Sequence, residues 1–313
     1  MNAISVRGLR KSFGDDLVLD GIDFDVAEGT VYALLGPNRA GKTTTIQILT
    51  TLIGSDGGSV QVGGHDLARD PEAVRSVIGV TGQFSAVDTW LTGEENLMLM
   101  ADLRHFGKTE GRRRTAELLE RLDLADAAKQ PLATYSGGMR RRLDLAMTLV
   151  GDPRIIFLDE PTAGLDLRSR RTMWAIVREL VADGVTIFLT TQYLEEADRL
   201  AVLDHGRFVA EGTPAELKRL VPGGHIVLEF GEADGLEAAA GVFAESARDD
   251  EALTLQVPSD GGVRHLREVL DRLDAATVRV EGLSLHTPDL DDVFLALTGQ
   301  VDRAGADREQ ALR

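Results

Sequence analysis

The stretch Val31-Tyr-Ala-Leu-Leu-Gly36-Pro-Asn-Arg-Ala-Gly-Lys-Thr43 decides the fold. Val31 to Leu35 is an apolar run of strand length, and the run from Thr44 to Leu52 reads as a helix. Between them lies the pattern G-x-x-x-x-G-K-[ST]. A strand that ends in a glycine-rich turn and opens a helix aims successive backbone N–H groups, and the positive end of the helix dipole, at one point. That point suits phosphate. Lys42 is placed to reach the β and γ phosphates of a nucleotide, and the Thr43 hydroxyl to ligate the accompanying Mg²⁺. Gly36, Pro37, Asn38, Arg39, Ala40, Gly41 and Thr44 complete the candidate cradle. The alternative, a chance glycine-rich turn, has to explain why strand, helix, Lys42 and Thr43 all stand in register.

A phosphate loop alone does not choose among kinases, GTPases and ATPases, so the next motifs matter. Tyr135-Ser-Gly-Gly-Met139 is followed closely by Ile155-Ile-Phe-Leu-Asp-Glu160. Four apolar residues ending in Asp-Glu describe a buried strand that delivers two carboxylates to the sheet's C-terminal edge, beside the phosphate loop. In that position Asp159 holds Mg²⁺ through water and Glu160 polarises the water that attacks the γ phosphate. As an alternative, either acid serves as an ordinary N-cap of the next helix.

The rest of the chain frames these motifs. Ile4 to Val6 and Leu17 to Val26 alternate like a small antiparallel β unit, and Ser59 to Val62 and Val77 to Val80 read as short strands. From Thr92 to about Val150 the spacing turns helical, which predicts a helical insert over about 84–150. Strands are expected again at Ile155 to Leu158 and Val185 to Leu189, with a helix from Ser169 to Ala182 between them. Buried strands alternating with helices imply a mostly parallel sheet. After Pro222-Gly223-Gly224 the pattern resets, with strands at His225 to Phe230, Leu253 to Val257 and Thr277 to Leu285 and a helix at Val263 to Leu273. The expected organisation is an α/β core of P-loop type over 1–222, a small accessory α+β domain over 223–300, and a polar, flexible tail over 301–313.

Composition narrows the function classes. A chain of 313 residues exceeds the usual limit of a single core, so two domains are expected. With 34 Lys and Arg against 51 Asp and Glu the formal net charge is −17, which opposes nucleic acid or an anionic membrane surface as the main partner. The basic runs Arg112 to Arg114 and Arg140 to Arg142 read as solvated helix faces. The absence of cysteine excludes disulfides and thiol chemistry. No apolar stretch approaches the roughly 18 residues needed to span a bilayer, so work at a membrane requires another subunit.

The order of these motifs resembles the ATP-binding subunits of ABC transporters. The resemblance implies that Ser136, Gly137 and Gly138 contact the γ phosphate of ATP held by the opposite protomer, so that two copies share each site. It implies further that Gln83 links Mg²⁺ and water to the membrane subunit, that Phe13 stacks on adenine, that Gln192 senses the γ phosphate, and that Asp166 couples the protomers. Thr81-Gly-Gln-Phe, Tyr135-Ser-Gly-Gly-Met-Arg-Arg-Arg-Leu-Asp, Thr190-Thr-Gln-Tyr-Leu-Glu-Glu-Ala-Asp198 and Leu290-Asp-Asp-Val-Phe-Leu-Ala-Leu-Thr-Gly299 are similar to the daunorubicin-resistance branch. That branch implies a homodimer at the cytoplasmic face of the cell membrane, paired with a separate permease that touches the exported compound.

Two departures stand out. Arg39 replaces the family's usual glycine, which implies either backbone strain of about 1 kcal/mol or an extra charge for phosphate. The segment Asp198 to Asp204 is about one helical turn shorter than in the family. Both motivate a second reading, an ATP-binding module with impaired hydrolysis. A soluble ABC protein acting away from membranes is a third, opposed by the single signature motif and the lack of heptads.

Overall fold

The computed structural model describes residues 1–82, 86–191, 196–220, 224–259, 262–286 and 292–294. Gln83, Gln192, the expected boundary at 222/223 and the tail over 301–313 lie outside the described residues. The chain divides into two units, Met1–Pro214 and Ala215–Arg313.

The first unit opens with a long antiparallel hairpin of β1 (Asn2–Phe13) and β2 (Asp16–Ala27). Strand β3 (Val31–Leu35), buried along its whole length, runs into the phosphate loop and helix α1 (Lys42–Leu49). The helix stops three residues short of the predicted Leu52 because the Thr50 hydroxyl bonds back to Ile46 O and Thr51 adopts a left-handed φ of 64°. Strands β4 (Gly57–Val62) and β5 (His65–Asp66) extend the hairpin into a four-stranded sheet in the order β2-β1-β4-β5. Helix α2 (Pro71–Val77), with Pro71 in its first turn and Asp70 capping Ala73 N, takes the start of the segment expected as strand, leaving β6 at Ile78–Thr81.

The insert holds α3 (Gly93–Leu103), started by a capping box between Thr92 and Glu95, then α4 (Lys108–Arg121) and α5 (Gly137–Leu149). The chain then alternates β7 (Ile155–Asp159), α6 (Leu167–Ala182) and β8 (Thr186–Thr190), and ends the unit with the hairpin β9 (Arg199–Asp204) and β10 (Arg207–Gly212). These strands form a six-stranded sheet in the order β10-β9-β3-β8-β7-β6, parallel throughout except for β10. The short segment 198–204 is thus strand β9, whose entry is pinned to β3 by Asp198, which accepts from Val31 N and donates its own N–H to Val31 O.

One core joins the two sheets. Leu9, Leu19, Phe24 and Val62 of the antiparallel sheet bury against Ile48 and Leu49 of α1 and Tyr32, Phe157 and Phe188 of the parallel sheet. Phe24, Tyr32 and Phe188 stack in sequence at ring-centroid distances of 5.6 Å. The strand order puts the C-terminal ends of β3, β8 and β7 side by side.

Helix α7 (Pro214–Lys218) spans the division, and the second unit then forms a four-stranded antiparallel sheet in the order β12-β13-β11-β14, made of β11 (His225–Glu229), β12 (Ala247–Asp249), β13 (Thr254–Pro258) and β14 (Gly282–His286). Helices α8 (Ala233–Val242) and α9 (Val263–Ala275) cover one face through Leu236, Ala239, Val269 and Leu273. The strand expected from Thr277 begins only at Gly282. Thr277, at a φ of 57°, closes α9, and Val278 and Val280 pack on the core from an irregular segment.

Candidate functional site

The loop between β3 and α1 is built for close approach. A Cβ on Gly36 would lie 2.2 Å from the backbone oxygen of Leu203 in β9, so only glycine fits beneath the neighbouring strand. Helix α1 has no side-chain cap and no acidic residue in its first turn, which leaves its N-terminal amides available to an anion. Lys42, half-buried, folds back and donates Nζ to the carbonyls of Gly36 (2.6 Å) and Pro37 (3.0 Å). Burial lowers its pKa, and the charges of Glu160 and Asp159 oppose that shift.

Phe13, Asn38, Arg39, Gly41, Lys42, Thr43, Thr44, Asp159 and Glu160 line one cavity of about 390 Å³, together with Asp16 and Val18 of β2. Residues from the β1–β2 hairpin, the phosphate loop and the end of β7 thereby meet at one place. Gly36, Pro37 and Ala40 shape the loop without lining this cavity. Arg39 has a left-handed φ of 70°, exposes its side chain and has no hydrogen-bond or ion-pair partner among the described residues. The glycine-favouring conformation inferred from the motif is therefore present, and an arginine occupies it. Phe13 is 51% exposed and is covered by Lys11, whose Nζ lies 5.2 Å from the ring centroid. Lys11 is in turn fixed by Asp56 at 2.9 Å, a carboxylate whose pKa is lowered by the Ser12 N–H and then by Lys11.

The carboxylates are organised by β8. The Thr190 hydroxyl at the end of that strand donates to Asp159 Oδ1, and the Glu160 N–H lies 3.0 Å from the same hydroxyl oxygen and 3.1 Å from Thr190 O. Asp159 is buried, and Glu160, at a φ of 48°, turns out of the strand. The N-cap alternative for these two acids fails, because the cap of α6 is Asp166, which accepts from Ser169 N at 2.9 Å.

Ser136, Gly137 and Gly138 stand elsewhere. Ser136 caps α5 by accepting from Met139 N, and both Ser136 and Gly137 are exposed. The buried ring of Tyr135 anchors the preceding segment, its hydroxyl donating to Ala127 O at 2.8 Å. A Cβ on Gly138 would meet Ser169 Oγ at 2.5 Å, so the starts of α5 and α6 are in contact and Ser136 and Asp166 belong to one edge of the unit. None of these four residues lines the cavity at the phosphate loop.

Two residues were not singled out by sequence. Thr190 had a signal, the terminal polar residue of an apolar strand run, but its partner is set by sheet order. Arg141 belongs to a run read as a solvated face, and this reading is corrected: Arg141 is 8% exposed and donates to the carbonyls of Gly82, Asp159 and Pro161. Burial lowers its pKa, and Asp144, Asp159 and Glu160 oppose the shift. The neighbouring run behaves as expected, with Arg113 and Arg114 paired to Glu110 on the surface of α4.

A phosphate loop after β3, paired carboxylates at the end of β7 and a Ser-Gly-Gly helix start that exposes Ser136 and Gly137 on an inserted helical region define an ATP-binding cassette of the P-loop class. The family model described as ABC transporter matches residues 19–163, and that described as the C-terminal domain of DrrA1-3-like ATP-binding proteins matches residues 212–298. The daunorubicin resistance ATP-binding protein DrrA2 of Streptomyces coeruleorubidus is 48% identical over 95% of both chains. The daunorubicin/doxorubicin resistance ATP-binding protein DrrA of Streptomyces peucetius is 46% identical over 95% of this chain and 92% of its own. Among solved structures, the ADP conformation of an ATP-binding cassette of an ABC transporter superposes with a TM-score of 0.64 at 25% identity, over 69% of this chain and 92% of that one. The chain belongs to the ABC transporter ATP-binding proteins, in the DrrA branch, a family of ATPases.

Proposed function

We propose that two copies of this chain, face to face, bind and hydrolyse ATP·Mg²⁺ and drive efflux of an antibiotic or similar amphipathic compound through a separate membrane permease. The observation that carries this reading is the convergence of Phe13, Lys42, Thr43, Asp159 and Glu160 on one cavity, while the exposed start of α5 at Ser136 lies outside it. A signature helix start that cannot serve its own cavity is suited to serve a partner's.

In this reading Phe13 stacks on adenine, and the amides of residues 36–44 with Lys42 hold the phosphates. Thr43 and Asp159 offer oxygen donors of the kind a hard cation takes and line the same cavity, so they fit Mg²⁺, with Gln83 as a further ligand. Bound there, the ion would neutralise charge on the phosphates. Glu160 takes the proton of the attacking water, and Gln192 donates its amide to the γ phosphate. Ser136, Gly137 and Gly138 complete the partner's site, and Asp166 links the two. The chain then works as a peripheral protein on the cytoplasmic face of the membrane, with the cargo touching only the permease. No helix among the described residues is long and apolar enough to cross a membrane. The unit after 222 acts as an accessory element.

Fluorescent-nucleotide binding tests the site: Lys42→Ala is expected to weaken ATP affinity at least tenfold, and unchanged affinity would remove Lys42 from the phosphates. A second reading, binding with impaired turnover, is favoured by the left-handed Arg39. Turnover that appears only in Arg39→Gly would support it.

A further inference from the structure

Arg141, Asp144 and Thr148 lie three and seven residues apart on α5, hence on one face of the helix. That face is stitched to β6 and the chain beyond it. Thr148 Oγ1 meets Thr81 Oγ1 at 2.8 Å, Asp144 Oδ1 accepts from Ala86 N at 3.2 Å, and Arg141 Nη1 donates to Gly82 O at 2.8 Å. The other two nitrogens of the same guanidinium reach across to the end of β7. Nη2 bonds to Asp159 O at 2.8 Å and Nε to Pro161 O at 3.1 Å.

Those two carbonyls flank Glu160, whose backbone sits at a φ of 48°. A non-glycine residue in that region is held there only if its surroundings over-determine it. Here Thr190 takes the Glu160 N–H from one side, and Arg141 takes the carbonyls of the residues before and after it, Asp159 and Pro161, from the other. The planar, multi-donor fork of arginine suits three carbonyls in different directions, whereas an ammonium would satisfy fewer of them. Asp144, 3.4 Å from Nη1 and itself buried, balances the charge.

We propose that Arg141 is a positioning residue for hydrolysis: it sets the backbone that aims Glu160 and ties that backbone to the helix that starts at Ser136. This rests on the reading of Glu160 and Ser136 given under Proposed function. Since α5 begins where the partner's nucleotide would bind, a shift of the helix on closure is delivered through Arg141 to the Glu160 of the same chain. Each site would thereby sense the occupancy of the other.

The test compares full-length wild type, Glu160→Gln, Arg141→Lys and the charge-neutral pair Arg141→Gln/Asp144→Asn, with kcat expressed per ATP-binding chain. The expected result is ATP affinity within about twofold of wild type in the Arg141 variants, with kcat about 10- to 100-fold lower for the double variant. Partial recovery is expected in Arg141→Lys, and a Hill coefficient for ATP that falls toward one. A merely structural role would lower the melting midpoint and the fraction of chains that bind ATP while leaving kcat per binding chain and the Hill coefficient unchanged, and that result would overturn the proposal. If Glu160→Gln turns over ATP at the wild-type rate, the reading of Glu160 itself fails and the proposal with it. If Glu160→Gln is inactive while both Arg141 variants turn over normally, the proposal alone is wrong.

Discussion

Replacing Arg39 with glycine separates two physical effects that the native residue combines. A non-glycine residue in the left-handed region, as Arg39 is at a φ of 70°, costs about 1–2 kcal/mol. Glycine gives back roughly 0.5–1 kcal/mol of this through the freedom of its unfolded chain. The net expectation for Arg39→Gly is a gain of about 0.5–1 kcal/mol, or roughly 1–4 °C in melting midpoint for a unit of this size. The same change removes a cation that lines the cavity and has no partner among the described residues. One exposed charge about 4 Å from a phosphate contributes about 1 kcal/mol in water, which corresponds to about fivefold in affinity. Thermal melting without nucleotide and ATP titrations at low salt and at about 0.5 M salt read the two effects apart, because salt screens the second and not the first. Arg39→Gly should melt higher, bind ATP about fivefold more weakly at low salt, and match wild type at high salt. A lower midpoint would refute the strain argument, and an affinity gap that ignores salt would refute the charge argument.

Other parts of the site carry their own expectations. Gly138→Ala places a Cβ 2.8 Å from Ser169 Cβ, which no rotamer relieves, so a loss of about 1–3 kcal/mol in urea unfolding is expected; a neutral result would mean that the starts of α5 and α6 do not pack as described. Thr190→Val keeps the shape of the strand end but removes the hydroxyl bond to the buried Asp159, with an expected loss of about 1.5–3 kcal/mol and slower turnover. Wild-type stability and kcat in that variant would count against Thr190 as the organiser of the carboxylates. On α4, hydrogen bonds from Arg113 and then Arg114 lower the Glu110 pKa from 4.5 to about 2. A depressed carboxylate pKa contributes stability that is complete above about 4.5 and lost as pH falls through about 2. The gap in melting midpoint between wild type and Glu110→Gln should therefore shrink between pH 6 and about 3, and a gap that widens on acidification would contradict the pairing.

The parts of this molecule legible in the sequence are those in which one local rule dominates. Val31–Leu35 and Ile155–Asp159 are wholly buried parallel strands, so an unbroken apolar run was enough to place them. The phosphate loop was legible because its chemistry demands fixed residue types at fixed spacing. Helix α8 escaped notice because Gly235 and Gly241 dilute a short, alanine-rich segment with few large apolar residues. Helix α2 was hidden by Val77, Ile78 and Val80, which read as a strand until Pro71 and Asp70 are recognised as a helix start. Arg141 shows the limit of reading charge locally. Three consecutive arginines look alike in sequence, and only the packing of α5 against β6 and β7 turns the middle one onto the carbonyls of Gly82, Asp159 and Pro161, while Arg142, its side chain also largely buried, donates to Asp123 O. The link from Thr190 to Asp159 follows from β8 lying between β3 and β7, a fact of sheet order that no local pattern encodes.

In the proposed dimer each ATP lies between the phosphate loop of one chain and the Ser136 helix start of another. Light scattering on Glu160→Gln with ATP and Mg²⁺ tests it directly, since this variant should bind ATP without discharging it. The expected result is a doubling of mass with ATP·Mg²⁺ that is absent with ADP and abolished when Ser136→Arg is added, while ATP binding to the single chain persists. A Glu160→Gln protein that binds ATP yet stays monomeric, or a dimer indifferent to Ser136→Arg, would contradict the shared site.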